Sequence, residues 1–290
     1  MLELLLQTGV NAVYAASYMA LIAVGLVLIF GVMGVINFAH GELYMLGAYS
    51  VFFFYVEQDL NFFLAVAIGM VFVGIVGLIM ERTLFRPLRD NPLGGLIASI
   101  GLLLCLQAAV TLQFGVRSKN VNPPVQEAVQ LGIQGVSVPL QRLYVVIAAV
   151  LLLVALWLFL KRSRFGWALR ATAQDAEAAA LQGISLTQTS RIAMFIGAAL
   201  AGVAGALTAP IVPTEPLMGH SVIVTAFIII IVGGIGSLEG AVVAAVLYAF
   251  VHTFVTTFFD GTVADITGLL LMLIVLVIKP TGLFGTKERA

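Results

Sequence analysis

Charge is scarce in this chain: 14 Lys or Arg and 14 Asp or Glu in 290 residues make a tenth of the sequence, where a soluble domain carries about a quarter. The two signs cancel, so no basic field exists to hold a phosphate backbone, and nucleic acid is excluded as a partner. Cysteine occurs once, at Cys105 in the apolar run from Leu102 to Leu106, which excludes an intrachain disulfide. Only three histidines are present, His40, His220 and His252. His40 and Glu42 spell H-x-E, but no P-C-x-x-C follows and H-E-x-x-H is absent, so no zinc-site motif is spelled. The G-x-x-x-x-G-K-[ST] phosphate loop is missing as well, so any ATP hydrolysis must come from another chain, and nothing in the pattern calls for a cofactor. No basic residue precedes Arg82. The apolar N-terminus therefore lacks the positive region of a cleavable signal, and the first helix is expected to stay in the mature protein.

What is present is apolar: 61% of the residues are hydrophobic. A bilayer core about 30 Å thick is crossed by about 20 apolar residues in a helix. Runs near that length recur at roughly 8–31, 40–57, 62–80, 94–114, 143–160, 188–209, 221–238, 240–258 and 263–278. Period-two alternation over long strands is absent, and lipid admits only helices or closed barrels. The expectation is an all-α integral membrane protein: a polytopic bundle of about eight or nine transmembrane or half-inserted helices, forming one membrane domain over 1–290. Eleven of the fourteen basic residues fall in or beside the loop of Arg82, Arg86 and Arg89, the loop from Lys161 to Arg191, and the tail with Lys279, Lys287 and Arg289. Those regions are expected inside, which with nine crossings puts the N-terminus outside and the C-terminus in the cytoplasm.

Two polar loops are long, Gly115 to Gln141 outside and Lys161 to Thr187 inside; neither is large enough for a catalytic domain. The inside loop is rich in Ala, Gln, Glu and Leu, which favours a short helix. Its pattern Glu177, Ala178, Ala179, then Gly183 sets small side chains on one face and a glycine where the helix can end in a left-handed cap. A docking surface and a solvated connector helix both fit that pattern.

Polar residues interrupt the apolar pattern at two glycine-rich breaks. The first holds Asn37, His40 and Glu42 among glycines at 31, 34, 41 and 47; the second holds Gly233, Gly234, Gly236, Ser237, Glu239 and Gly240. Polar groups at membrane depth are costly, and broken helices expose backbone that can face a solute. The matching breaks predict an internal repeat with Asn37, His40, Glu42, Ser237 and Glu239 on a translocation pathway. A wet loop at the first break and ordinary tight hairpins at both fit the same residues. The series Gly197, Ala201, Gly202, Gly205 and Ala209 reads as a small-x-x-x-small packing face.

The stretches INFAHGELYMLGAY (36–49), EAAALQG (177–183), GGIGSLEGAVVAA (233–245) and KPTGLFG (279–285) together resemble the LivH-type permeases of branched-chain amino acid ATP-binding-cassette importers, in the order and spacing of that family. The resemblance covers almost the whole chain. It implies a bacterial inner-membrane subunit that does no covalent chemistry and moves branched-chain or related small amino acids from periplasm to cytoplasm. It also implies a coupling loop at about 161–187, with Arg170, Asp175, Glu177, Ala178, Ala179 and Gly183 docking on an ATPase. The implied partners are a second, LivM-like permease, two ATPase subunits and a periplasmic substrate-binding protein. A secondary transporter or channel for a small solute of amide or urea type is the alternative on the helices alone.

Overall fold

The computed structural model describes residues 1–130 and 136–285; Lys287 and Arg289, counted above with the cytoplasmic tail, lie outside the described residues. Among the described residues, seven helices are long and apolar enough to cross a membrane. They are α1 (Leu2–Met33), α3 (Phe62–Met80, continued through Phe85), α4 (Pro92–Phe114), α5 (Leu140–Arg162), α8 (Leu186–Thr208), α10 (Leu238–Phe258) and α11 (Gly261–Ile278). Two shorter helices, α2 (His40–Val51, continued through Glu57) and the apolar α9 (Met218–Gly233), occupy the remaining two of the nine segments expected. Two small helices, α6 (Arg164–Gln174) and α7 (Ala176–Leu181), fill the loop expected inside. A two-stranded antiparallel hairpin, β1 (Ala128–Gln130) and β2 (Ser137–Pro139), lies in the other long loop with Ala128 opposite Pro139.

Helix starts are specified locally. Asn61, Asn91, Ser163, Asp175, Ser185, Ser237 and Asp260 each accept a backbone N–H with the side chain one residue before a helix, satisfying donors that have no intrahelical partner. Asp175 is why the inside loop holds two helices where one was expected: its backbone is extended at φ −158, ending α6, and its Oδ1 accepts the Ala178 N–H at 2.9 Å to start α7.

Helix α1 is the central post, buried along most of its length against α8, α9 and α10. By contrast, α4, α5 and α11 present large apolar side chains outward, among them Leu104, Leu112, Leu151, Leu273 and Val277. Such a surface has no place in water and is ordinary against lipid tails, so the chain is a multi-pass membrane protein.

Close backbone approach explains the small-residue face of α8. A methyl at Gly25 would lie 2.7 Å from the Gly197 carbonyl oxygen, and one at Gly197 would lie 2.6 Å from that of Gly25, so neither site admits a side chain. The pattern repeats where Gly47 and Tyr44 of α2 cross Gly202 and Gly205 of α8. The Tyr44 hydroxyl closes that crossing on Thr208 Oγ1 at 2.6 Å. Lipid supplies no hydrophobic force to drive two helices together, so this contact area stands in for it.

Helix α1 ends at Gly34, whose φ of 64 turns the chain back. Val35 then packs on Gly95, the Phe38 N–H donates to Ser99 Oγ at 3.1 Å, Gln107 Nε2 donates to Glu42 Oε1 at 2.9 Å, and the Tyr49 ring meets Phe114 at 4.9 Å. The partners climb α4 in step with the chain, so residues 35–49 run alongside α4 and back along α1. His40 Nε2 lies 3.1 Å from the carbonyl oxygen of Ile22, eleven residues before the end of α1 and so roughly 16 Å from it at 1.5 Å per residue. Helix α2 therefore begins deep inside the bundle.

Candidate functional site

The N-termini of the two short helices meet inside the bundle. Gly219, in the first turn of α9, packs on Gly41 and Glu42 so closely that a methyl there would lie 2.7 Å from both the Gly41 carbonyl oxygen and Glu42 Oε1. Glu42 thus sits in the first turn of its own helix and against the first turn of another. Free N–H groups and the helix dipole favour an acidic group at such a place. Asn37, His40 and Glu42 are all fully enclosed. Both amide atoms of Asn37, Nδ1 of His40 and Oε2 of Glu42 find no hydrogen-bond partner among the described residues. Buried polar atoms are seldom left so, and a cluster of them marks a position set by something other than packing.

The second break is built differently. Gly234 and Gly236, with φ of 105 and 87, make a tight turn between α9 and α10; Ser237 Oγ caps α10 by accepting the Gly240 N–H at 3.0 Å, and Glu239 is exposed. The KPTGLFG tail straps this turn: the N–H groups of Leu283 and Phe284 donate to the carbonyls of Val232 and Gly233 at 2.8 and 2.9 Å. Ser237 and Glu239 are not brought together with Asn37, His40 and Glu42. One break is a re-entrant segment with a deep half-length helix, the other a strapped turn at the bundle's end.

On that same end lies the inside loop. Arg170, Asp175, Glu177, Ala178 and Gly183 are exposed, while Ala179 is buried. Gly183 takes φ 83, and the N–H groups of Gly183 and Ile184 donate back to the carbonyls of Ala180 and Ala179 at 2.9 and 3.1 Å. This is the left-handed helix end that the glycine's position predicts. Leu181 stands outward, 84% exposed, on the short helix. The loop is tied to the bundle by Thr172 Oγ1, 3.4 Å from Thr189 Oγ1 of α8, and by Ala173, whose methyl faces Gly31 of α1. The loop helices thus touch both α1 and α8, and α8 packs along α2.

One feature is invisible in the sequence order. A cleft of about 190 Å³ opens between α1, α9, α10 and α11. At its edge His252 Nε2 lies 3.1 Å from Asp265 Oδ1, a hydrogen bond between α10 and α11. Its partners are thirteen residues apart on two apolar helices; the only linear signal was an acidic residue inside α11.

The geometry defines a class: a polytopic helical membrane protein with a buried polar junction and a shaped loop at one end, the general build of a permease. Comparison with known proteins makes this definite. The sequence model of the family described as "Branched-chain amino acid transport system / permease component" matches residues 9–278. The chain is 33% identical over 296 residues to the high-affinity branched-chain amino acid transport system permease protein BraD of Pseudomonas aeruginosa, covering 98% of this chain and 96% of that one. It is 32% identical over 298 residues to the corresponding permease LivH of Escherichia coli strain K12, with the same coverage. A probable branched-chain amino acid transport permease protein LivH of Methanocaldococcus jannaschii is 25% identical over 292 residues, covering 95% and 91% of the two chains. Among solved structures, PsaBC from Streptococcus pneumoniae in complex with Fab aligns over 94% of this chain and 92% of that one, with a TM-score of 0.54 and 15% identity, a likeness of fold. The chain belongs to the family of branched-chain amino acid transport system permease components.

Proposed function

We propose that the chain is the permease subunit of an ATP-binding-cassette importer, carrying branched-chain or related small amino acids from periplasm to cytoplasm by alternating access. The observation that carries this reading is family membership across residues 9–278; it favours an ATP-coupled importer over a secondary transporter, which the helices alone would also fit. In the assembled machine a second, related permease completes the pore, two ATPases dock on the inside loop, and a binding protein delivers substrate outside. The loop end of the molecule and the C-terminus then face the cytoplasm and the N-terminus faces out, a direction that the distribution of basic residues supports.

Closure of the ATPases moves α7, and the ties from α6 to α1 and α8 carry that motion to the junction around Glu42. Support for the docking role comes from shape: small exposed alanines, Leu181 standing outward, and a helix end fixed by a glycine no other residue can replace without strain. Gly183→Val forces a β-branched side chain into φ 83, a cost of order 1–3 kcal/mol. In the reconstituted importer it is expected to reduce binding-protein-stimulated ATP hydrolysis toward the unstimulated level. Full stimulation with intact transport in that variant contradicts the docking role.

A further inference from the structure

Helices α10 and α11 carry the pair His252–Asp265, with the His252 side chain 25% exposed and that of Asp265 74% exposed. Both residues lie within apolar spans. Asp265 is four residues into α11, roughly 6 Å along the helix. An acidic side chain in a span is costly against lipid, and such residues characteristically face a bundle interior or a water-filled path and mark where a solute passes. Here Asp265 borders the cleft at its open edge, one helical turn before Leu269 at the start of the exposed row of α11.

The cleft has the two-sided character of a site for a small amphiphile. One wall is aliphatic, from Ile22 of α1 with Val222 and Ile229 of α9; the other is polar, from Asp265 and His252, with the hydroxyls of Ser221 and Thr225. The His252 ring is held by stacking on Tyr248 at 5.5 Å between centroids and an interplanar angle of 23°. Tyr248 is held in turn against Gly268, where a methyl would lie 2.6 Å from its ring. Nε2 of His252 engages Oδ1 of Asp265, leaving Oδ2 to accept from a ligand. The Ser221 hydroxyl donates to the Met218 carbonyl at 3.2 Å, so its oxygen also remains an acceptor. Two acceptors, one of them anionic, beside an aliphatic wall suit a primary ammonium carried on a carbon that bears a branched hydrocarbon chain.

We propose that this cleft is where the amino acid binds during passage, its α-ammonium on Asp265 and Ser221 and its side chain against Ile22, Val222 and Ile229. The proposal rests on the importer reading above and adds the place and polarity of binding.

The test uses the assembled importer in proteoliposomes with Cys105→Ala and Val222→Cys, labelled by a membrane-impermeant thiol reagent. The expected result is labelling of position 222 that slows in the presence of leucine and is unaffected by 4-methylpentanoate, which has the same hydrocarbon chain and no ammonium. Adding Asp265→Asn should raise the leucine concentration needed for protection by about tenfold or more, the size of a hydrogen bond to a charged group. Binding-protein-stimulated ATP hydrolysis reports assembly of each variant. No labelling at position 222, or labelling that leucine leaves unchanged or that 4-methylpentanoate slows equally, overturns the site. If the unaltered importer takes up no branched-chain amino acid at all, the substrate assignment fails instead.

Discussion

Glu42 has one hydrogen-bond donor from another helix, Gln107 of α4 at 2.9 Å, and it is completely enclosed. Replacing Gln107 by Leu removes that donor at nearly constant volume and leaves a carboxyl whose Oε2 already lacks a partner among the described residues. Two magnitudes compete. Hydrogen bonds between membrane helices contribute about 0.6 kcal/mol on average and about 1.7 at most, because chains unfolded in the bilayer find other partners. A buried polar group stripped of its partner loses about 1–3 kcal/mol. Helix α2 begins inside the bundle, where Gln107 gives the one side-chain hydrogen bond that Glu42 receives among the described residues, so the upper part of the first range applies. Gln107→Leu is expected to lower stability by about 1–2 kcal/mol, a factor of roughly 5–30 in the folded-to-unfolded ratio. The double variant Glu42→Leu with Gln107→Leu should recover part of that loss, since removing both partners leaves neither unsatisfied. Reversible unfolding in mixed micelles at several denaturant concentrations gives both numbers. A Gln107→Leu protein within a few tenths of a kcal/mol of the parent, or single losses that add in the double variant, refutes the idea that this bond holds the deep start of α2.

Other outcomes follow from the same packing. Gly47→Leu drives a side chain into the backbone at Gly202; overpacking of this kind costs about 1–3 kcal/mol or more, and the variant should unfold at lower denaturant with α2 accessible to protease. Glu239→Gln changes an exposed residue at a strapped turn away from the buried junction, so uptake by the importer should stay within about twofold of the parent, as substitutions away from buried features usually do. A tenfold loss there would restore the second break to the pathway.

The number and nature of the membrane segments were legible because length and apolarity are local properties: all nine segments appear within a few residues of where the apolar runs place them. Depth was not legible. Hydropathy reports that residues 40–57 are apolar, not that Gly34 turns the chain back along α1 so that His40 reaches Ile22. The similarity in composition of the two breaks also misleads about their shapes, since glycines serve equally in a re-entrant segment and in a turn with two positive φ angles. Ala178, Ala179 and Gly183 could be read because a helix end is specified by neighbours in sequence. His252 and Asp265 could not, because their meeting depends on how α10 packs against α11. Asn37, His40 and Glu42 interrupt the apolar pattern in the sequence, and their complete enclosure emerges only once α4 and α9 close over them.

The central claim is tested most directly by purifying this permease with its second permease, ATPases and binding protein, and measuring uptake of radiolabelled leucine into proteoliposomes. The account predicts uptake that requires both ATP and the binding protein and is competed by isoleucine and valine. Uptake driven by an ion gradient without ATP, or none of the three amino acids carried while the complex hydrolyses ATP in response to another solute, would contradict it.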